Sequence, residues 1–405
     1  MPEKLTDPLR AEFAALDPAN SQYATQLVER LLAAGRAAEA SDLHLQPTAA
    51  GLDVRWRIDG VLEHVATLPP RAAPNVIARL KVLAELLTYR NDTPQEGRIR
   101  GGESGVEIRV STLPTLYGEK AVVRLFADRN RYAALDSLGF DSDMLAALGR
   151  LLAETSGAVL VTGPAGSGKT TTLYACLREI AAQSAGGRSL ASLEDPIESA
   201  VSGVAQSQVN PAIGFDLSAG LRFLLRQDPE VIMVGEIRDA ATAEVAFQAS
   251  LTGHLVLSSF HAGGAAGAIS RLSDMGIAPY LLRSGILAIV SQRLVRKLCR
   301  CARPAAAPEA LLGLPVERAW LPAGCAECRG SGYQGRAVVA EMLLAEASEL
   351  GRAILSRSDK TQLEQLAVRG GMIPLRERAC QAVAAGITSP AEVRRVLGLG
   401  DVRDE

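Results

Sequence analysis

Apolar positions along this chain change rhythm as it runs. Near the start, YATQLVERLLAAGRAAEA sets Leu27, Val28, Leu31 and Leu32 on one helical face, which predicts a surface helix packed on the next stretch of chain. From Ser41 to about Asp128 short runs take over. LHLQP, LDVRWRIDGVLEHV, GVEIRVSTLP and EKAVVRLF read as strands, with a helix, PNVIARLKVLAELL, among them. That combination is a small α+β domain. The polar, turn-rich ADRNRYAALDSLGF reads as a hinge. From Asp141 onward, strongly apolar strands (GAVLVTG, RSLASLE, VIMVGE, GHLVLSSF) alternate with helical segments. Strands of this kind, separated by helices, predict an α/β unit whose parallel sheet is covered on both faces. Between Arg296 and Arg336 the rhythm breaks into Cys, Pro and Gly, and the tail beyond Glu341 is mostly helical. The expected domains are an N-terminal extension over 1–22, the small α+β domain over 23–128, a hinge over 129–140, an α/β domain over 141–345 and a helical segment over 346–405. The cysteine-bearing stretch 297–332 is expected inside the α/β domain.

Composition narrows the function classes. The 405 residues are 48% hydrophobic and 22% charged, which fits a globular protein of two or three domains. A net charge of −2 gives no support to bulk electrostatic binding of nucleic acid. MPEKLTDPLRAEF lacks the basic-then-apolar pattern of a signal peptide, and no apolar run approaches the ~20 residues that span a bilayer. Membrane association is therefore expected to go through a partner or a surface patch.

One segment carries a specific chemistry. Gly163, Pro164, Ala165, Gly166, Ser167, Gly168, Lys169 and Thr170 match G-x-x-x-x-G-K-[ST], after a strand ending at Thr162 and before a helix beginning with Thr170 and Thr171. Its glycines let backbone N–H groups curl around phosphates at a positive helix terminus. Lys169 would reach the β and γ oxygens and Thr170 would ligate Mg²⁺. Lysine is scarce here, six against 37 arginines, so this one is not a routine surface cation.

Carboxylates follow at the next strand ends. VIMVGEIRD places Gly235 where many P-loop ATPases carry a metal-binding aspartate, leaving only Glu236. SLEDPIE, at 192–198, offers Glu194, Asp195 and Glu198 around a proline and holds no cation. Ligands of open α/β sheets gather at the carboxyl ends of strands, so these groups are expected beside Lys169. Cys299-x-Cys301 and Cys325-x-x-Cys328 form two close pairs, and four thiolates suit a structural tetrahedral Zn²⁺. Cys176 and Cys380 stand alone and are expected to be packed.

Together these segments resemble the type II secretion and type IV pilus assembly ATPases. GPAGSGKTTTLYA, SLEDPIES, GLRFLLRQDPEVIMVGEIRD and TGHLVLSSFHA look like that family's Walker A, Asp box, Walker B and His box. ASDLHLQP, VRWRIDGVLE, PQEGRI, RVSTLPTLYGEKAVVRLF, QRLVRKLC and GYQGRAVVAEML match as well, so the resemblance runs from about residue 24 to 345. It implies a hexameric ring of subunits with a RecA-like P-loop core, ATP bound between the small domain and that core, and ATP hydrolysis driving assembly of pilus or pseudopilus subunits. By the same resemblance Glu198 is the catalytic base and Glu236 the metal-side carboxylate. His254 and His261 are the His-box histidines, and Arg98, Arg109 and Arg124 are the small domain's phosphate-neutralising arginines. The implied partners are an inner-membrane platform protein and a cytoplasmic adaptor, with the motor cytoplasmic and peripheral at the inner membrane. HAGGA departs from the family after His261, where relatives carry Thr and polar residues. Larger relatives precede this architecture with a docking domain, and with only some 20 to 40 residues here that docking is expected to differ or be absent. Retraction-type ATPases share the core but usually lack the four cysteines. A RecA-type nucleic-acid translocase is the other alternative, and the charge counts against it.

Overall fold

The amphipathic pattern of residues 23–37 makes a helix, α1 (Tyr23–Ala37), in a computed structural model that describes residues 13, 16–17, 20–99, 108–125, 134–305, 307–345 and 348–398. The chain divides into two units. One holds residues 1–128, 299–302 and 322–335; the other holds 129–298, 303–321 and 336–405.

In the first unit the alternating runs become six strands: β1 (Asp42–Thr48), β2 (Gly51–Ile58), β3 (Val61–Leu68), β4 (Gln95–Ile99), β5 (Ile108–Thr115) and β6 (Gly118–Leu125). They form a sheet of order β3-β2-β1-β6-β5-β4 in which every pairing is antiparallel. A second helix, α2 (Ala73–Leu83), lies between β3 and β4 in sequence. Leu27, Val28 and Leu31 of α1 and Val76, Ile77 and Leu80 of α2 bury against Leu43, Leu45, Trp56, Val110 and Val123. One sheet face is thus core, and period-2 alternation leaves the polar residues on the other. The two cysteine-bearing stretches, expected within the α/β domain, group with this unit instead.

The second unit is built on α3 (Ser142–Leu152), β7 (Gly157–Thr162), α4 (Lys169–Ser184), β8 (Leu190–Glu194), β9 (Val204–Gln208), α5 (Leu217–Leu224), β10 (Val231–Ile237), α6 (Ala240–Leu251), β11 (Leu255–Phe260), α7 (Ala265–Asp274), α8 (Pro279–Gly285) and β12 (Ile286–Leu298). A two-residue pair, β13 (Arg303–Pro304) and β14 (Trp320–Leu321), precedes β15 (Tyr333–Leu344) and the helices α9 (Ser348–Leu355), α10 (Lys360–Arg369), α11 (Leu375–Ala384) and α12 (Pro390–Leu397). The sheet order is β15-β12-β7-β11-β10-β8-β9, and the pairings from β12 to β9 are parallel. Alternate residues of β7 serve two cores: Ala158 and Leu160 face one, Val159 and Val161 the other. That explains why the strands read as unbroken apolar runs.

The predicted hinge lies outside the described residues over 129–133. Its second half is not linker-like, since Leu135, Leu138 and Phe140 are buried in the core beside α3 and α4. No helix among the described residues is long and apolar enough to cross a membrane.

Candidate active site

Parallel strands end on one edge of the sheet, and the loops leaving β7, β8 and β10 meet there. After β7 the chain enters the glycine loop with positive φ at Gly163, Gly166 and Gly168. A Cβ at Gly163 would lie 2.5 Å from the Gln292 carbonyl and 2.6 Å from Ser167 Oγ, so no side chain fits. Gln292, on β12, supports the loop from beneath. Its Nε2 donates to the Ser167 carbonyl at 2.7 Å, and its Oε1 accepts from Thr172 Oγ1 at 3.0 Å. Helix α4 opens at Lys169, directly after the loop. Lys169 Nζ donates to the carbonyls of Gly163 and Pro164, both at 3.0 Å. Burial, with some help from the Arg293 charge, lowers the Lys169 pKa from its ordinary value, against the pull of Glu236.

The strand ends bring the expected groups together. Lys169, Thr170, Glu194, Asp195, Glu198, Glu236 and His261 all line one cavity of about 200 Å³. Their environments differ. Glu194 is buried at 2% exposure and receives hydrogen bonds from Tyr174, Ser192 and Gln206. Glu198 is exposed. Glu236 is held by two side chains: His261 Nε2 lies 2.7 Å from one oxygen and Arg238 Nε donates to the other at 2.7 Å. Arg238 also lies 3.6 Å from Asp195, linking the β8 and β10 ends. Gly235 leaves the usual aspartate position empty of a side chain, and a Cβ there would meet Glu194 Cα at 3.4 Å.

The histidines part company. His261 Nδ1 lies 3.1 Å from the Gly163 carbonyl, so this ring joins Glu236 to the glycine loop. The HAGGA departure does not release it. Arg271 donates to the His261 carbonyl at 2.7 Å, and Glu341 caps the following helix through the Ala265 N–H at 2.7 Å. His254 sits before β11, at the opposite end of that strand, and bonds the Ala249 carbonyl at 3.0 Å. Seven residues of extended chain separate the two rings by about 20 Å, so the structure does not bring His254 to the cavity.

A family model described as "Type II/IV secretion system protein" matches residues 18–395. The chain belongs to that family. It is 42% identical over 388 residues to "Type II secretion system protein E" of Klebsiella pneumoniae, covering 94% of this chain and 77% of that protein. It is 39% identical over 396 residues to "Type IV pilus assembly ATPase TfpB" of Acinetobacter baylyi, covering 94% and 66%. The fold resembles that of the Legionella pneumophila ATPase DotB, with a TM-score of 0.67 at 20% identity, over 94% of this chain and 97% of that one.

This member of the secretion family carries two further constellations, both in its first unit. Arg98, Arg109 and Arg124 are direct cross-strand partners on β4, β5 and β6, so they stand in a row on the polar face. Asp42 continues the row on β1 and accepts from Arg124 Nε at 3.0 Å. Like charges set directly opposite are unfavourable, and Asp42 offsets that at the Arg124 end of the row.

The second is the cysteine cluster. Sulfur separations are 3.8 Å for Cys299–Cys325, 3.8 Å for Cys301–Cys328 and 3.7 Å for Cys325–Cys328. A tetrahedron with ~2.3 Å metal–sulfur bonds has edges of about 3.8 Å, which these three separations match, and all four sulfurs lie within 4.8 Å of one another. Burial works against a charged Cys328, but N–H bonds from Cys325 and Gly332 outweigh it and hold this thiol down at about 7. Arg329, inside the second turn, donates to the carbonyls of Ala38 at 3.2 Å and Ala37 at 3.4 Å, capping α1.

Sequence reasoning missed Tyr174, Gln206 and Gln292. Gln292 had a visible signal, a lone amide in the apolar run ILAIVSQ. Gln206 lies among polar residues, and Tyr174 sits in an apolar helical run that gives its hydroxyl no separate signal.

Proposed function

We propose that this chain is the ATPase motor of a type II secretion or type IV pilus machine and drives assembly of pilus or pseudopilus subunits. The observation that carries the reading is the single cavity shared by Lys169, Thr170, Glu198 and Glu236. Ser167 Oγ, buried and without a hydrogen-bond partner among the described residues, supports a loop shaped for a ligand. In this reading Lys169 exchanges the Gly163 and Pro164 carbonyls for the β and γ phosphate oxygens of ATP. Thr170 and Glu236 would hold Mg²⁺, which when bound offsets phosphate charge. Glu198 takes a proton as a water oxygen bonds to the γ-phosphorus, the bond to the β–γ bridging oxygen breaks, and ADP leaves. His261 keeps Glu236 in register with the glycine loop. The arginine row supplies a cationic face suited to polyphosphate. Zn²⁺ at the four cysteines would be structural, and the four-cysteine segment favours assembly over retraction. A homo-hexamer working at the inner membrane, through a platform protein and an adaptor, is the assembly we infer from the family.

Phosphate release by the purified chain in Mg-ATP tests this. The wild type should turn over ATP, and Lys169→Ala should abolish turnover while circular dichroism shows the fold kept. Near wild-type turnover in that variant would overturn the site.

A further inference from the structure

Three carboxylates in five residues form SLEDPIE, and the structure gives them unequal partners. Glu194 is turned inward and Glu198 outward. Between them stands Tyr174, buried on α4, the helix that begins at Lys169. Its hydroxyl donates to Glu194 Oε2 at 2.5 Å. The same hydroxyl oxygen accepts the backbone N–H of Glu198 at 3.0 Å and that of Ser199 at 3.3 Å. A phenol offers one proton and two lone pairs, and all are used here. Burial and the bond to Glu194 push the Tyr174 pKa well above its ordinary value, so the group stays a phenol and keeps its proton on Glu194.

Gln206 completes the hold. Its Nε2 donates to Glu194 at 2.9 Å and to the Ser199 carbonyl at 3.0 Å, while its Oε1 accepts the Val201 N–H at 2.7 Å. Residues 198–201 are thus fixed through their backbone by two side chains, and the Glu198 side chain lines the cavity. We propose that Tyr174 is a positioning residue for Glu198, tying the backbone of the base to the helix that carries Lys169 and Thr170. Glu194 is its anchor and takes no proton from water. This rests on Glu198 being the base. It adds that the base takes its place from the phosphate-binding helix and not from its own loop.

Tyr174→Phe removes one oxygen and leaves two amides and Glu194 short of a partner. A base shifted by a fraction of an ångström should cost kcat about tenfold to a hundredfold, while affinity for a fluorescent ATP analogue stays within about twofold. Placed on Glu198→Gln, the same change should cost less than about twofold more, because its route is already cut. In the wild-type protein, hydrogen exchange should find the Glu198 and Ser199 amides protected, whether or not the variant folds. If Glu198→Gln turns over like wild type, the base assignment fails and the proposal with it. If Glu198→Gln is slow but Tyr174→Phe keeps its kcat, or its loss adds in full to that of Glu198→Gln, the proposal alone falls. Glu198 and Ser199 amides that exchange as fast as open loop also overturn it.

Discussion

Lys169 must choose between two sets of partners. Its ammonium rests on two carbonyls of its own loop. Those bonds prevent an unpaired buried cation, and phosphate oxygens can replace them with stronger, charge-assisted ones. Glu236 faces a similar exchange, since Arg238 and His261 occupy both of its oxygens. If Glu236 serves the metal, Glu236→Gln should weaken nucleotide binding roughly tenfold in Mg²⁺ and hardly at all in EDTA. Titration of a fluorescent nucleotide under both conditions checks this. A magnesium-dependent gain that survives the substitution would remove Glu236 from the metal. At this scale the sequence was legible at Lys169, Thr170 and Glu236, where a motif fixed the spacing, but not at His254, which a motif also named. It was silent on Tyr174, because the partners of its hydroxyl lie 20 to 25 positions away and leave no periodic trace.

Elements of the second unit show where patterning works and where it stops. The strongly apolar β7, β10 and β11 stand out in the sequence because two cores need them. β12 and β15 are visible in the sequence only through family motifs. Their apolar runs are broken by polar residues with structural work, Gln292 under the glycine loop and Glu341 capping both α7 and α11. Helix α12 hides a similar group. Glu392 is fully buried and bonded to Arg296 and Arg395. Burial opposes its charge, but those side chains and the Arg296 N–H outweigh it and hold its pKa at about 2, from an ordinary 4.5. A carboxylate depressed on folding contributes stability above its unfolded pKa and loses it as pH falls toward the folded one. The C-terminal helices should therefore weaken between about pH 4.5 and 2, by on the order of 3 kcal/mol. Glu392→Gln should flatten that dependence and cost about 3–5 kcal/mol at pH 7, because the fully buried carboxylate is the one that Arg296 and Arg395 bond. Urea unfolding at pH 7 and pH 3 measures both; an unchanged acid dependence in the variant would contradict the assignment.

Across the whole molecule, the α/β core and its strand-end site could be read from the sequence. The grouping of the cysteine turns could not. Contacts such as that of Arg329 with the end of α1 join residues nearly three hundred positions apart. If zinc fills the cluster, the purified chain should hold about one Zn²⁺ per subunit. Chelation should then raise hydrogen exchange over 299–302 and 322–335 and leave nucleotide binding in place. Metal analysis coupled to exchange mass spectrometry tests this. Zinc-free protein that stays protected there would make the cysteines packing residues.

The division of labour between Glu198 and Glu236 is the centre of the account, and paired kinetics and binding on Glu198→Gln test it most directly. A base acts mainly in the transition state, so kcat should fall by about a hundredfold or more while the nucleotide dissociation constant stays within about twofold. A variant that loses nucleotide affinity and keeps its turnover at saturation would contradict the assignment, and would move the base elsewhere in the cavity.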